Sequence, residues 1–139
     1  MHTDAAKAPQ TTAFRRSYPG TVFHVRRVRA DLAPFTDGYP HADDLILLAS
    51  ELAANAAQYS TSGEPGGEFT VRAQLRTGDC ARLEVEDQGG PWTARDHHDE
   101  RPHGLDIVAM LAGEGNWGVS QASSGTRVVW VRLGWTEPA

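Results

Sequence analysis

The sequence predicts an α+β domain: a two-layer α/β sandwich, with a mostly antiparallel mixed sheet and helices on one face. Three observations point there. Two helical periodicities stand next to each other before residue 60, instead of one helix per strand, which argues against a wound parallel sheet. The alternating apolar segments further on are joined by short turns, Thr77-Gly78-Asp79 and Ser123-Ser124-Gly125, as hairpins are. And 139 residues, 40% of them apolar and 22% charged, suit one soluble domain with a single core.

Each element has its own local reason. Met1 to Thr12 holds Ala, Thr and Pro with little to bury, so residues 1–12 are expected as a flexible tail and 13–139 as the domain. Ala13 to Tyr18 reads as a first strand, stopped by Pro19-Gly20. Thr21 is placed to cap a helix whose apolar face is Val22, Val25, Val28, Leu32 and Phe35. Thr36 to Pro40 breaks it. A second helix runs from Asp43 to Tyr59, with Leu45, Leu48, Leu52, Ala56 and Tyr59 on one stripe. Ser60 to Gly67 is a turn-rich connector. Phe69, Val71, Ala73 and Leu75 then alternate with polar residues, as do Ala81, Leu83 and Val85, giving a hairpin that ends at Asp87-Gln88-Gly89-Gly90-Pro91. Trp92 to His103 has no period of either kind and reads as a loop. Gly104 to Leu111 is a short apolar helix, and Trp117 to Ala122 pairs with Thr126 to Leu133 in a closing hairpin.

Charge and composition exclude several roles. Thirteen basic against eighteen acidic side chains leave a net −5, which disfavours non-specific attraction to nucleic acid or to an anionic membrane surface. No stretch approaches the ~20 apolar residues of a membrane span. Met1 to Thr12 lacks the apolar run of a secretory signal, so a cytoplasmic location is expected. The single cysteine, Cys80, has no partner for an internal disulfide and reads as an ordinary thiol.

The stretch most suited to chemistry is Ser50 to Ser60. Glu51 and Asn55 are four residues apart and share a stripe beside the apolar one, among alanines that leave room for a ligand. Glu51 is able to accept a proton, and Asn55 to offer an oxygen to a hard cation. Two solvated helix polars would look the same. Arg26, Arg27 and Arg29 lie off the apolar stripe of the first helix, as a solvated face or a partner contact. Asp96-His97-His98-Asp99 has neither a regular scaffold nor nearby cysteines, so a solvated loop outweighs a metal site.

Four motifs in this order carry a family resemblance. Glu51-x3-Asn55, Asp87-x-Gly89, His103-Gly104-Leu105-x-Ile107-Val108 and Gly125-Thr126-x-Val128 resemble the four nucleotide-binding boxes of the GHKL ATPases, the Bergerat-fold proteins that include gyrase and the sensor histidine kinases. The likeness runs from about Phe14 to Trp135, and Ser50-Glu51-Leu52-x2-Asn55-Ala56 looks most like the small anti-sigma-factor serine/threonine kinases of Gram-positive, actinobacterial type. The resemblance implies ATP and Mg2+ as cofactors. Asp87 would accept a hydrogen bond from the adenine amino group, with Thr126 sharing the water beside it. Gly89 would let the backbone approach the base. Asn55 would hold Mg2+, and Glu51 would be the general base. His103, Gly104 and Leu105 would open a helix whose N–H groups face the phosphates.

The resemblance also implies partners: a sigma factor, held inactive, and a STAS-type antagonist that is phosphorylated, with a homodimer as the common form. Arg26 and Arg29 are the expected sigma contact. Two positions depart from the family pattern. Pro91 stands where a second glycine is usual after Gly89, and Pro102 where the phosphate-binding helix is usually preceded by one. Proline lacks an N–H and fixes φ, so one phosphate contact would be missing and the lid stiffer. A binding-only module that acts by sequestering its partner, with weak or no nucleotide binding, is therefore the alternative expectation.

Overall fold

A computed structural model describes residues 10–59, 63–89, 105–113, 115–121 and 124–135. The described chain runs β1 (Thr11–Pro19), α1 (Val22–Phe35), α2 (Ala42–Tyr59), β2 (Glu68–Arg76), β3 (Cys80–Asp87), α3 (Leu105–Ala112), β4 (Trp117–Gln121) and β5 (Arg127–Gly134). The strands form one five-stranded sheet in the order β1-β2-β3-β5-β4. Every pairing among them is antiparallel, so the mixed sheet expected from sequence is corrected to an antiparallel one among the described residues. Hairpin turns join β2 to β3, and β3 reaches its other neighbour, β5, only after α3 and β4.

Sequence and structure agree closely on why each element forms. Thr21 caps α1, its hydroxyl oxygen accepting from the His24 N–H at 3.3 Å. Pro34 sits in the last turn of α1, and Thr36 closes it by donating to the Leu32 carbonyl at 3.0 Å. β1 begins at Thr11, so the strand takes the last two residues of the expected tail, and Gln10 before it accepts the Thr77 N–H at 2.9 Å; residues 1–9 lie outside the described residues. Its pairing explains the shift: Thr11 and Thr12 stand opposite Arg76 and Leu75 at the far end of β2. A strand opposite a nine-residue partner extends until the ladder ends, however polar its tip.

One face of the sheet carries the helices. Phe69, Val71, Ala73 and Leu75 of β2, Ala81, Leu83 and Val85 of β3, and Val129, Val131 and Leu133 of β5 are buried, while their in-between neighbours are not. The α2 stripe packs on β2 and β3, with Leu45, Leu48, Ala49, Leu52, Ala53 and Ala56 buried. Val28 and Leu32 of α1 and Val108 of α3 complete the core, whereas Val22 of the expected α1 face is 71% exposed. Val22 is the first residue of the helix.

The other face is open and charged. Arg72 of β2 donates to Glu84 at 2.9 Å and to Glu86 at 2.8 Å, both on β3. Arg82 donates to Glu84 at 2.9 Å and lies over the Trp130 ring, 4.9 Å from its centre. Burial alone would raise Glu84, but Arg72 and Arg82 hold it below the usual carboxylate range, and Arg72 does the same for Glu86. Tyr39 ties the α1–α2 connection to the sheet, its hydroxyl donating to the Gly134 carbonyl at 2.7 Å while its ring packs against Trp135. Trp117, Trp130 and Trp135 are all partly buried rim residues. No helix among the described residues is long and apolar enough to cross a membrane.

Candidate functional site

Helix α2 supplies two of the candidate residues. Asn55 sits one turn after Glu51 and one residue before Ala56, and is only 2% exposed. Its amide nitrogen finds no hydrogen-bond partner among the described residues. An amide buried in that way costs about 1–3 kcal/mol, a penalty a natural fold keeps only for a reason. Glu51 is half-buried beside it, at the edge of the stripe. The reading of both as solvated helix polars therefore fails for Asn55.

Strand β3 supplies the third. Ala81, Leu83, Val85 and Asp87 alternate inward, so Asp87 continues the core-facing row and ends it, 2% exposed. The Gly89 N–H donates to Asp87 Oδ1 at 2.7 Å. Gly89 itself has φ +77°, and a Cβ there would run into the carbonyl of Gly125. The glycine is needed for two chain segments to pass each other, the end of β3 and the approach to β5. Gly89 thus makes a close approach to the protein's own backbone at Gly125.

A residue not singled out from the sequence completes the cluster. Arg127, the first residue of β5, stands directly across from Asp87, the last residue of β3. Its Nε lies 3.5 Å from Asp87 Oδ2, and the Arg127 and Asp87 side chains are 10% and 2% exposed. Burial holds the Arg127 guanidinium below its ordinary value, and Asp87 opposes that shift. The alternation of β5 was the available signal: Arg127 shares its parity with Val129, Val131 and Leu133, and an arginine on a core-facing row needs a carboxylate.

The other candidates are distributed as follows. Thr126 is partly buried, with its hydroxyl 3.2 Å from that of Ser124 and hydrogen-bonded to Glu86, which it helps hold low. Glu86 and Asp87 are successive strand residues and face opposite sides of the sheet, and the Thr126 hydroxyl keeps company with Glu86. Leu105 is the first residue of α3. His103 and Gly104 lie outside the described residues, as do Pro91, Pro102 and the Asp96–Asp99 run. Among the described residues no group of three or more His, Cys, Asp or Glu is placed to hold a metal. Arg26 and Arg29 are exposed on α1, in line with Val22 at helical spacing and next to Phe23, which is 62% exposed.

Several hollows bounded by described residues lie elsewhere, two of them above 300 Å³. One of about 340 Å³ is formed by Pro19–Thr21 and Gly63–Glu68, and one of about 320 Å³ by β1, β2 and β3 around Arg15, Arg72 and Arg82. Neither includes Asn55, Asp87 or Arg127. What the α2–β3–β5 cluster offers chemically is an acceptor-only carboxylate held by two donors, a buried carboxamide with a donor to spare, and a half-buried carboxylate one helical turn away. A scan against protein-family models found no match to the chain, and a search of curated proteins found none either.

Proposed function

We propose that this protein is a Bergerat-fold, ATP-dependent serine/threonine kinase and anti-sigma factor, which phosphorylates a STAS-type antagonist and sequesters a sigma factor in the cytoplasm. The observation that carries the reading is Asn55: a buried carboxamide with an unpartnered amide, one turn from Glu51, in an α+β domain where Asp87 ends a core strand. An inert helix would keep an alanine or leucine there.

The residues fit the implied cofactors. Mg2+ takes oxygen ligands and usually only one or two from protein, the others coming from phosphates and water, so the Asn55 carboxamide oxygen would serve as one of them, and its unpartnered amide nitrogen, a donor, would be left for a phosphate oxygen. Bound Mg2+ would neutralise charge on the phosphate oxygens. Asp87 can only accept hydrogen bonds, which selects a base bearing an amino group over one bearing a carbonyl at that position. Glu51 takes the proton of the acceptor hydroxyl as its oxygen bonds to the γ-phosphorus; the bond to the bridging oxygen breaks and ADP leaves. Burial of Asn55 and packing of α2 on the sheet keep the groups on a rigid support, and positioning supplies most of the rate in this class of reaction.

One observation favours a second reading. Asp87 already has Gly89 and Arg127 on its two oxygens, and a module that only sequesters its partner has no need of a base pocket. Calorimetric titration of Mg·ATP into the wild type, Asp87→Asn and Glu51→Ala decides between them. The expected result is binding by the wild type, loss of at least about tenfold in Asp87→Asn, and retained binding without phosphoryl transfer in Glu51→Ala. No binding by the folded wild type would leave the sequestering module.

A further inference from the structure

The open face of the sheet sets its arginines in an order that strand pairing does not favour. Register places Arg15 of β1 directly opposite Arg72 of β2, Arg72 opposite Glu84 of β3, and Glu84 opposite Trp130 of β5. In the next row of the same face, Arg82 of β3 stands opposite Arg132 of β5. Like charges directly across a ladder destabilise it. Carboxylates relieve part of this. Arg72 turns to β3, where Glu84 and Glu86 take two of its nitrogens at 2.9 and 2.8 Å, and Arg132 leans to Asp79 at 4.0 Å. Arg15 is left over. Its side chain is exposed, forms no hydrogen bond or ion pair among the described residues, and reaches Glu86 through its charge alone.

The hollow of about 320 Å³ lies between these groups, lined among others by Ala13, Arg15, Arg72, Gln74, Arg82 and Glu84. That volume stands at the low end of the range for small-ligand sites. β1 and β3 flank β2, so their backbones are about 10 Å apart, a gap that two arginine side chains can close over a phosphate or a diphosphate. The walls are held before any ligand arrives. Glu84 accepts from Arg72 Nε on one oxygen and from Arg82 Nε on the other, both at 2.9 Å. The Arg82 guanidinium also lies over Trp130, 4.9 Å from the ring centre, and that ring rests on Gly118, where a Cβ would stand 2.8 Å from the indole nitrogen. A guanidinium fixed in this way loses less freedom on binding. Arginine carries five N–H donors, and Arg82 gives Glu84 the one on Nε.

We propose that this hollow is an anion site, taking the phosphate or diphosphate group of a small molecule between Arg15 and Arg82, with Arg72 behind it. Planar guanidinium forks match phosphate oxygens in geometry as well as charge. A solvated face would account for any one of these arginines. It does not account for three around one hollow, one of them opposed to another, in a chain whose net charge is −5. A bound anion answers the repulsion between Arg15 and Arg72. Arg82 and Glu84 alternate along β3 with buried Leu83, Val85 and Asp87, so the hollow and Asp87 lie on opposite faces of the sheet. The anion site therefore stands whether or not Asp87 receives a base.

The test is calorimetric titration of sodium pyrophosphate, without Mg2+, into the wild type, Arg15→Gln and Arg27→Gln. Both variants lose one positive charge, Arg15→Gln at the hollow and Arg27→Gln on α1, in the helical layer across the sheet. The expected result is binding by the wild type, binding weaker by about tenfold or more in Arg15→Gln, as for one charge-assisted hydrogen bond, and no change in Arg27→Gln. Equal weakening in the two variants would reduce the effect to net charge and refute the site. Undiminished binding in Arg15→Gln refutes it too, as does no binding by the folded wild type at millimolar pyrophosphate. Glycerol phosphate in the same titration separates the sources: whichever probe binds more tightly with the same Arg15 dependence identifies a free diphosphate or a phosphate ester as the ligand class. Proton–nitrogen correlation spectra of the wild type give a reading that needs no variant. The Arg82 Nε–H and Trp130 indole N–H signals should move with pyrophosphate, while that of Trp135, packed on Tyr39, stays in place. Unmoved Arg82 and Trp130 signals refute the proposal.

Discussion

Replacing Gly89 by alanine separates two costs that usually come together. The first is backbone strain: a side chain at φ +77° sits in the left-handed region, at about 1–2 kcal/mol. The second is collision, because the new Cβ meets the Gly125 carbonyl, which is backbone and cannot rotate away. Forced displacement of packed atoms typically costs about 1–3 kcal/mol. Together they predict a loss of about 2–5 kcal/mol, or a fall in Tm of roughly 6–15 °C at about 3 °C per kcal/mol for a domain of this size. Gly78 provides the control. It has φ +81° and nothing within 4 Å of its would-be Cβ, so Gly78→Ala carries the strain alone. Its expected Tm fall is about 3–6 °C on the same scale. Thermal and urea melts followed by circular dichroism measure both, with an unchanged m-value showing that stability alone has moved. Equal losses in the two variants would mean that the Gly89–Gly125 approach constrains nothing, and would refute the account of why a glycine follows Asp87.

Three further outcomes are expected. Glu84 and Glu86 have folded-state values held low by Arg72, so their stabilisation is intact above the unfolded carboxylate range near pH ~4.3 and is lost as pH falls through the lower folded values. The wild-type Tm should therefore drop more between pH 6 and pH 3 than that of Arg72→Met, and parallel curves would refute the linkage. Asn55→Leu removes the unpartnered amide and should leave Tm unchanged or raise it by the equivalent of about 1–2 kcal/mol, while abolishing the Mg·ATP response. A loss beyond about 2 kcal/mol would show that the amide is satisfied after all. Tyr39→Phe deletes the 2.7 Å bond to the Gly134 carbonyl and should cost about 0.5–1.5 kcal/mol, read from urea melts; no measurable loss would mean the hydroxyl is as well served by water.

Local chemistry was sufficient to settle the elements. The Thr21 cap, the 3.6-residue stripe of α2 and the two-residue alternation of β2, β3 and β5 are properties of segments under twenty residues long, and each was legible from the sequence within a few residues of its observed ends. The same stripes identified Leu45, Leu48, Leu52 and Ala56 as core, and the position of Glu51 beside them. Tertiary structure decided what depends on which segments meet. Asn55 was legible as a polar residue near the stripe but not as one buried at 2%, because its burial depends on how far α2 rolls onto β2 and β3. The direction of β4 and β5, and so an antiparallel sheet in place of a mixed one, depends on a connection whose path no local pattern encodes. The Asp87–Arg127 pair joins residues forty positions apart in the chain. Each was visible alone, as a strand-ending aspartate and an arginine of inward parity, but register is set by the packing of both strands against the helices. A shift by a single residue would have sent the two side chains to opposite faces of the sheet.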